Sequence, residues 1–212
     1  MTAVAASETI RGVRVSHPDK VYWPEEGYTK RDLVAFYSEV FGRLRPFVKD
    51  RLLSLERCPN GMRGACFFQK EKPEGLPADT PTQRIQHVRK STNYVVGGRL
   101  ETQLALANLG CIAVHVWGSR CDEPRKPDWV CFDLDPSSEK FADAIAAALK
   151  VREALDALDL VSFPKTSGGK GLHVFVPIRR GPDADEVLGF AEGLGRQLAG
   201  AFPRVSPRRK CR

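Results

Sequence analysis

The stretch Val130-Cys131-Phe132-Asp133-Leu134-Asp135-Pro136 limits the fold more than any other part of the chain. An apolar run ends there in two carboxylates two residues apart. In a β-strand side chains alternate faces, so Asp133 and Asp135 share one side with Cys131, and Phe132 and Leu134 turn to the other, into a core. Such a strand calls for a sheet with one covered face and one polar face. Two acids on one face repel each other unless a cation lies between them. Hard Mg2+ or Mn2+ takes carboxylate oxygens and leaves positions for substrate phosphates. The same residues also read as a strand end entering an Asp-Pro turn with solvated acids.

The 212 residues suffice for one good-sized core or two small ones. No apolar run approaches the ~20 residues of a membrane span, and no basic-then-apolar leader opens the chain, so neither a membrane partner nor a signal peptide is expected. A net charge of +7 and a pI of 9.2 favour a polyanionic partner such as nucleic acid. Part of that excess lies in Arg204, Arg208, Arg209, Lys210 and Arg212. The cysteines are Cys58, Cys66, Cys111, Cys121, Cys131 and Cys211, with no C-x-x-C pair. A zinc ribbon is therefore not expected, Cys111 and Cys131 read as buried thiols, and a reducing cytoplasm fits.

Residues 1–12 read as a flexible leader, 13–202 as a single domain and 203–212 as a basic tail. Thr29 caps a helix over about 30–44 with Leu33, Phe36, Tyr37, Val40, Phe41 and Leu44 on one face, ended by Pro46. Further helices are expected over 101–109, 141–158 and 183–201. Strands are expected at 13–16, 52–57, 65–69, 85–88, 94–96, 111–117, 129–134, 161–163 and 172–177. Many short strands without a regular βαβ alternation make the class α+β.

The segment Lys165-Thr166-Ser167-Gly168-Gly169-Lys170-Gly171 leads into the strand Leu172-His173-Val174. Its glycines allow close backbone approach, and N–H groups, a hydroxyl and a lysine can cradle an anion. It is not a P-loop, because the spacing fails and a strand follows. A plain hairpin turn is the other reading. His115 and His173 both fall in apolar strands, where a satisfied core histidine is the ordinary case. Together with the acids and the Gly-Lys loop they would make a phosphoryl-transfer site if they share a sheet face. Lys20 and Lys30 flank a helix start, where an anion would meet two ammonium groups, or they are solvated surface lysines. Phe67 and Phe68 alternate faces beside Lys70, as a core pair or as a base-stacking ring.

Taken together, these segments closely resemble the polymerase domain of bacterial DNA ligase D, a branch of the archaeo-eukaryotic primase superfamily. The matching text is His17-Pro18-Asp19-Lys20, Gly27-Tyr28-Thr29-Lys30, Arg57-Cys58-Pro59-Asn60-Gly61, Phe67-Phe68-Gln69-Lys70, His115-Val116-Trp117, Phe132-Asp133-Leu134-Asp135-Pro136 and the segment from Lys165 to His173. The resemblance implies a primase-like fold, with an RNA-recognition-motif-like catalytic sheet and a smaller N-terminal part. It implies nucleotide addition at DNA ends in non-homologous end joining, with ribonucleotides and Mn2+ (or Mg2+) preferred, by a two-metal mechanism. On this basis Asp133 and Asp135 are metal ligands and His115 stands near the nucleotide. Ser167, Lys170, Gly171 and His173 take the triphosphate, and Lys20 and Lys30 hold the 5′-phosphate of a DNA end. Phe67 and Phe68, with Arg57 and Lys70, meet DNA. Nucleoside triphosphates, Ku and a ligase domain are the further partners implied, at the bacterial nucleoid.

The resemblance also places a third metal-binding Asp on a strand after the last helix. Residues 203–212 carry no acid and do not read as that strand, so the sequence suggests a domain cut short at its C-terminal strands. A 5′-phosphate-binding module with weak or no catalysis is the alternative function. A structural fragment completed by another chain is a third reading.

Overall fold

In the computed structural model, residues 7–136, 140–201 and 205–207 are described. The α+β chain divides into two compact units, Met1–Trp117 and Gly118–Arg212, so the domain expected over 13–202 is built in two parts. The N-terminal unit, expected to be the smaller, is the longer of the two.

The first unit opens with strands β1 (Ser7–Ile10) and β2 (Val13–Ser16). Arg11 and Gly12 join them with φ of 48° and 83°, the paired left-handed residues of a tight two-residue hairpin turn. The expected leader is thus a strand over 7–10, and the rest of it lies outside the described residues. Strands β3 (Val21–Trp23) and β4 (Tyr28–Thr29) form a second hairpin that leads into α1 (Lys30–Val48). Thr29 and Asp32 close a reciprocal capping box at its start. The helix runs through Pro46 instead of stopping there: only its own N–H is lost, and its fixed φ is helical. Leu33, Val34, Tyr37 and Phe41 are buried on one side, whereas Phe36 is exposed and stands edge to face with the Tyr37 ring.

Strands β5 (Leu52–Arg57), β6 (Phe67–Gln69), β7 (Thr82–Gln86), β8 (Ser91–Val96) and β9 (Cys111–Val116) form an antiparallel sheet, with α2 (Leu100–Asn108) before β9. Its order is β6-β5-β8-β7, and β9 also pairs with β5. Leu53, Leu55, Val95 and Leu106 bury its inner face. β7 lies N-terminal to the expected 85–88 because its register with β8 runs from Thr82↔Val95 to Gln86↔Ser91.

The second unit is a four-stranded antiparallel sheet in the order β11-β12-β10-β13. Its strands are β10 (Trp129–Pro136), β11 (Phe163–Thr166), β12 (Leu172–Pro177) and β13 (Val205–Pro207), with helices α3 (Phe141–Asp156) and α4 (Ala184–Ala201). Val130, Phe132, Leu134, Val174 and Val176 form one core with Ala147, Val151 and Leu155 of α3 and Leu194 of α4. The alanines on the buried side of α3 let the helix lie close to the sheet. β13 overturns the reading of 203–212 as a tail without a strand. It covers the edge of β10 with the register Leu134↔Pro207, Asp135↔Ser206 and Pro136↔Val205. No helix among the described residues is long and apolar enough to cross a membrane.

Candidate functional site

The acid-bearing face belongs to the second unit. Val130, Phe132 and Leu134 are 3%, 6% and 4% exposed, so alternation along β10 leaves Cys131, Asp133 and Asp135 on the opposite face. Cys131 is therefore half-buried beside the acids and not a core thiol. Register sets His173 of β12 opposite Asp133, with its Nε2 3.4 Å from Asp133 Oδ1. Phe175 lies on the same face, its ring 6.0 Å from the His173 ring and 4.9 Å from that of Trp129. Lys165 of β11 pairs with His173 in register, a neighbour that strand pairing reveals and the linear sequence does not.

The Gly-Lys loop closes the turn from β11 to β12. Ser167 N–H and its hydroxyl donate to the Gly171 carbonyl at 3.1 and 3.0 Å. The same hydroxyl oxygen accepts the N–H groups of Gly171 at 3.3 Å and Gly169 at 3.4 Å. Gly168 sits at φ +91°, where a side chain would strain the backbone. Gly171 packs directly on Asp135: a Cβ there would stand 2.6 Å from Asp135 Oδ1 and 2.7 Å from the Leu134 carbonyl. The loop and the acid pair are thus one assembly, and Lys170 is exposed on the loop.

Two oxygen-donor side chains on one strand face, with a glycine rather than a side chain against Asp135, fit a hard divalent cation whose other positions go to water and substrate oxygens. Among the described residues no cluster of three or more His, Cys, Asp or Glu side chains completes a larger ligand set. The backbone partner of Asp135 on β13 is Ser206, not an acid.

The first unit holds the two lysines. The Lys30 N–H donates to the Lys20 carbonyl at 2.8 Å, tying the helix start to the preceding turn. Lys20 Nζ donates to the Pro59 carbonyl at 2.7 Å and to Asn60 Oδ1 at 2.9 Å. Lys30 is only 6% exposed, and its Nζ lies 3.4 Å from Ser16 Oγ. Burial first, and the nearby Lys20 ammonium second, push the Lys30 pKa below the ordinary lysine value. Neither lysine is a solvated surface group. Two converging ammonium groups at the first turn of α1 make a place where an anion relieves an existing electrostatic cost.

On the outer face of this unit's sheet, Glu56, Phe68 and His115 cluster. Glu56 pairs with Phe68 in register, His115 Nε2 lies 3.3 Å from Glu56 Oε2, and the Phe68 and His115 rings are 5.2 Å apart. Phe67 and Phe68 are 45% and 66% exposed, so neither is a core ring. Arg57 has its guanidinium engaged by the Leu109 carbonyl at 2.9 and 3.1 Å and Gln69 Oε1 at 2.6 Å, with Phe67 beneath it. It braces the sheet edge under Phe67. Lys70 is exposed just beyond β6. His115 and His173 stand on different sheets in different units, so the shared face considered for them from sequence does not exist.

Cys58 and Cys66 are bonded to each other, which the expected reducing cytoplasm does not favour. Cys58–Cys66 joins the residues just outside β5 and β6. The hairpin register explains the pairing: with Arg57 opposite Phe67, the next positions outward face each other.

Residues 29–208 match the family described as "LigD, primase-polymerase domain". The chain is 32% identical over 214 residues to the multifunctional non-homologous end joining protein LigD of Pseudomonas aeruginosa, covering 95% of this chain and 24% of that protein. It is 30% identical over 215 residues to the bifunctional LigD of Bacillus subtilis, covering 96% of this chain and 34% of that protein. The chain therefore spans about a quarter to a third of the length of these relatives. The polymerase domain of Mycobacterium tuberculosis ligase D, solved in complex with DNA, superposes with a TM-score of 0.83 at 27% identity, over 89% of this chain and 69% of that one.

Proposed function

The chain belongs to the LigD primase-polymerase domain family, and from that premise we propose that it is a nucleotidyltransferase adding nucleotides, ribonucleotides by preference, at DNA ends during non-homologous end joining. The observation that carries this reading is the acid strand β10, whose Asp135 is set against Gly171 of the anion-cradling loop. In the reaction a primer 3′-hydroxyl oxygen bonds the α-phosphorus of a nucleoside triphosphate and the bond to pyrophosphate breaks. The 167–171 loop, its backbone held in shape by its own hydrogen bonds, takes the triphosphate through Ser167 and Lys170. Asp133 and Asp135 would hold Mn2+ or Mg2+, which when bound supplies charge neutralisation at the phosphates and the attacking oxygen. His173, in contact with Asp133 Oδ1, orients that carboxylate. Lys20 and Lys30 take the 5′-phosphate of a DNA end, Phe67 and Phe68 offer rings to bases, and His115 is the histidine that the ligase D resemblance assigns to the nucleotide. Ku and a ligase domain are the protein partners this role calls for.

A binding module with weak transfer is the second reading, favoured because the strand after α4 sets Ser206, and not an acid, opposite Asp135. Primer extension with Mn2+ and ribonucleoside triphosphates separates the two. The chain is expected to extend and Asp133→Ala to fail. Equal extension by both sinks the carboxylate mechanism, and no extension by either favours the binding module. Lys20→Ala is expected to lose the preference for a 5′-phosphorylated recessed end, and an unchanged preference removes that lysine from the role.

A further inference from the structure

The loop that carries the acceptors of Lys20 is also the loop closed by the disulfide. Cys58 follows β5 and is fully buried, and its N–H donates to the Gly110 carbonyl at 2.8 Å. Pro59 and Asn60, the next two residues, are the ones that hold Lys20 Nζ. Met62 N–H donates to the Tyr22 carbonyl at 2.8 Å, and Gly64 N–H to the Gly61 carbonyl at 3.0 Å. Cys66 follows, exposed, and then the exposed rings of Phe67 and Phe68 on a strand only three residues long. The bond therefore spans two candidate DNA contacts, one on each side of the loop. Its outer sulfur belongs to the exposed cysteine, and disulfides open to a thiolate at such a sulfur are the exchangeable kind.

The geometry points to Cys58–Cys66 as a thiol–disulfide exchange site that sets how firmly the first unit grips a DNA end. A low-molecular-weight thiolate attacks Cys66 Sγ. The S–S bond breaks, Cys58 leaves as thiolate and takes a proton from solvent. A second thiol then attacks the mixed disulfide and releases Cys66 as a thiol. Two reductant thiols are oxidised to one disulfide as the protein bond is reduced to two thiols. In the reduced state Cys58 keeps its N–H bond to the Gly110 carbonyl, and Pro59 and Asn60 keep their bonds from Lys20 Nζ. The stretch from Met62 to Phe68 loses its covalent tie, and the short β6 strand is left to its ladder with β5. This inference rests on the DNA-end reading above.

The test measures binding of recessed DNA, with and without a 5′-phosphate, by the whole chain oxidised, the same chain reduced and alkylated, and Cys66→Ser. Thiol counting fixes the state of each sample, and amide exchange is read over 59–69. The oxidised chain is expected to bind the phosphorylated end at least about fivefold more tightly, the lower edge of ordinary coupling between sites. Amides at 62–68 should exchange faster after reduction, and Cys66→Ser should be indifferent to reductant. Equal affinity for the phosphorylated end in both states, with preference for the phosphate intact, overturns the switch alone. No preference in either state overturns the end-binding reading and the switch with it. Two reactive thiols at Cys58 and Cys66 in the chain kept under oxidising conditions also overturn it.

Discussion

Gly171→Ala tests the link between the loop and the acids most directly. The added methyl would sit 2.6 Å from Asp135 Oδ1 and 2.7 Å from the Leu134 carbonyl oxygen. Ordinary contact needs ~3.4 Å or more, so one of the groups must retreat by well over half an ångström. The carbonyl belongs to a strand paired on both sides, with β12 through Leu134↔Leu172 and with β13 through Leu134↔Pro207. It yields poorly, so the Asp135 carboxylate swings away and the loop backbone at 171 shifts off the strand. Overpacking of this sort costs about 1–3 kcal/mol, and for a chain of this size each kcal/mol lowers Tm by ~2–4 °C. Displacement of a reacting group by about 1 Å can lower the rate ~100-fold. A thermal melt and a primer-extension rate measure the two effects. Gly169→Ala is the control, because its Cβ would meet only Ser167 Oγ at 4.0 Å; its stability should stay within ~0.5 kcal/mol of the parent. A Gly171→Ala chain with parental Tm and parental extension rate would refute the coupling of loop to acid pair.

Lys30→Met removes a buried ammonium. Because the folded pKa is lowered, the unfolded chain binds more protons between that value and the ordinary lysine value, so this lysine penalises the fold at neutral pH and the penalty lifts as pH rises. The variant should melt at the same temperature or higher at pH 7 while losing the preference for 5′-phosphorylated ends; a lower Tm with the preference intact contradicts the assignment. Thr29→Ala should lower stability by about 1 kcal/mol, read by denaturant titration. Hydrogen bonds from Thr29 hold Asp32 below the usual carboxylate range. The stability this adds is present above the ordinary Asp pKa and lost as pH falls through the lowered folded value, so the variant should show less acid destabilisation in that window. Phe68→Ala, at an exposed ring, should leave Tm nearly unchanged yet weaken single-stranded DNA binding by about 1–3 kcal/mol if a base stacks there.

Much of this was legible where the deciding interactions are local. The alternation of Val130 to Asp135 gave the facing of the acids, because strand periodicity needs no partner. The Thr29 cap was readable because a capping box spans four residues. Features set by distant partners were not. Val205-Ser206-Pro207 has weak strand character of its own and becomes a strand because β10 offers it an edge. Lys30 looks like any polar residue in a first helical turn, and only the tertiary fold, which brings its Nζ to Ser16 Oγ, makes it buried. The Cys58–Cys66 pair follows from a hairpin register that spacing alone does not fix. The separation of His115 from His173 is a property of topology: one strand pairs with β5, the other with β10.

The placement of β13 has a consequence for how the protein is made. The acid-bearing strand finds its neighbour β12 soon after synthesis, but its other edge, at Asp135 itself, is sealed by residues translated after the whole of α4. During translation the chain thus passes through a stage in which its most charged strand is a one-sided ribbon open to pairing with another chain. Slow codons or a chaperone acting before residue 205 would prolong that stage, and substitutions in α4 that leave the finished site untouched could still lower the yield of folded protein.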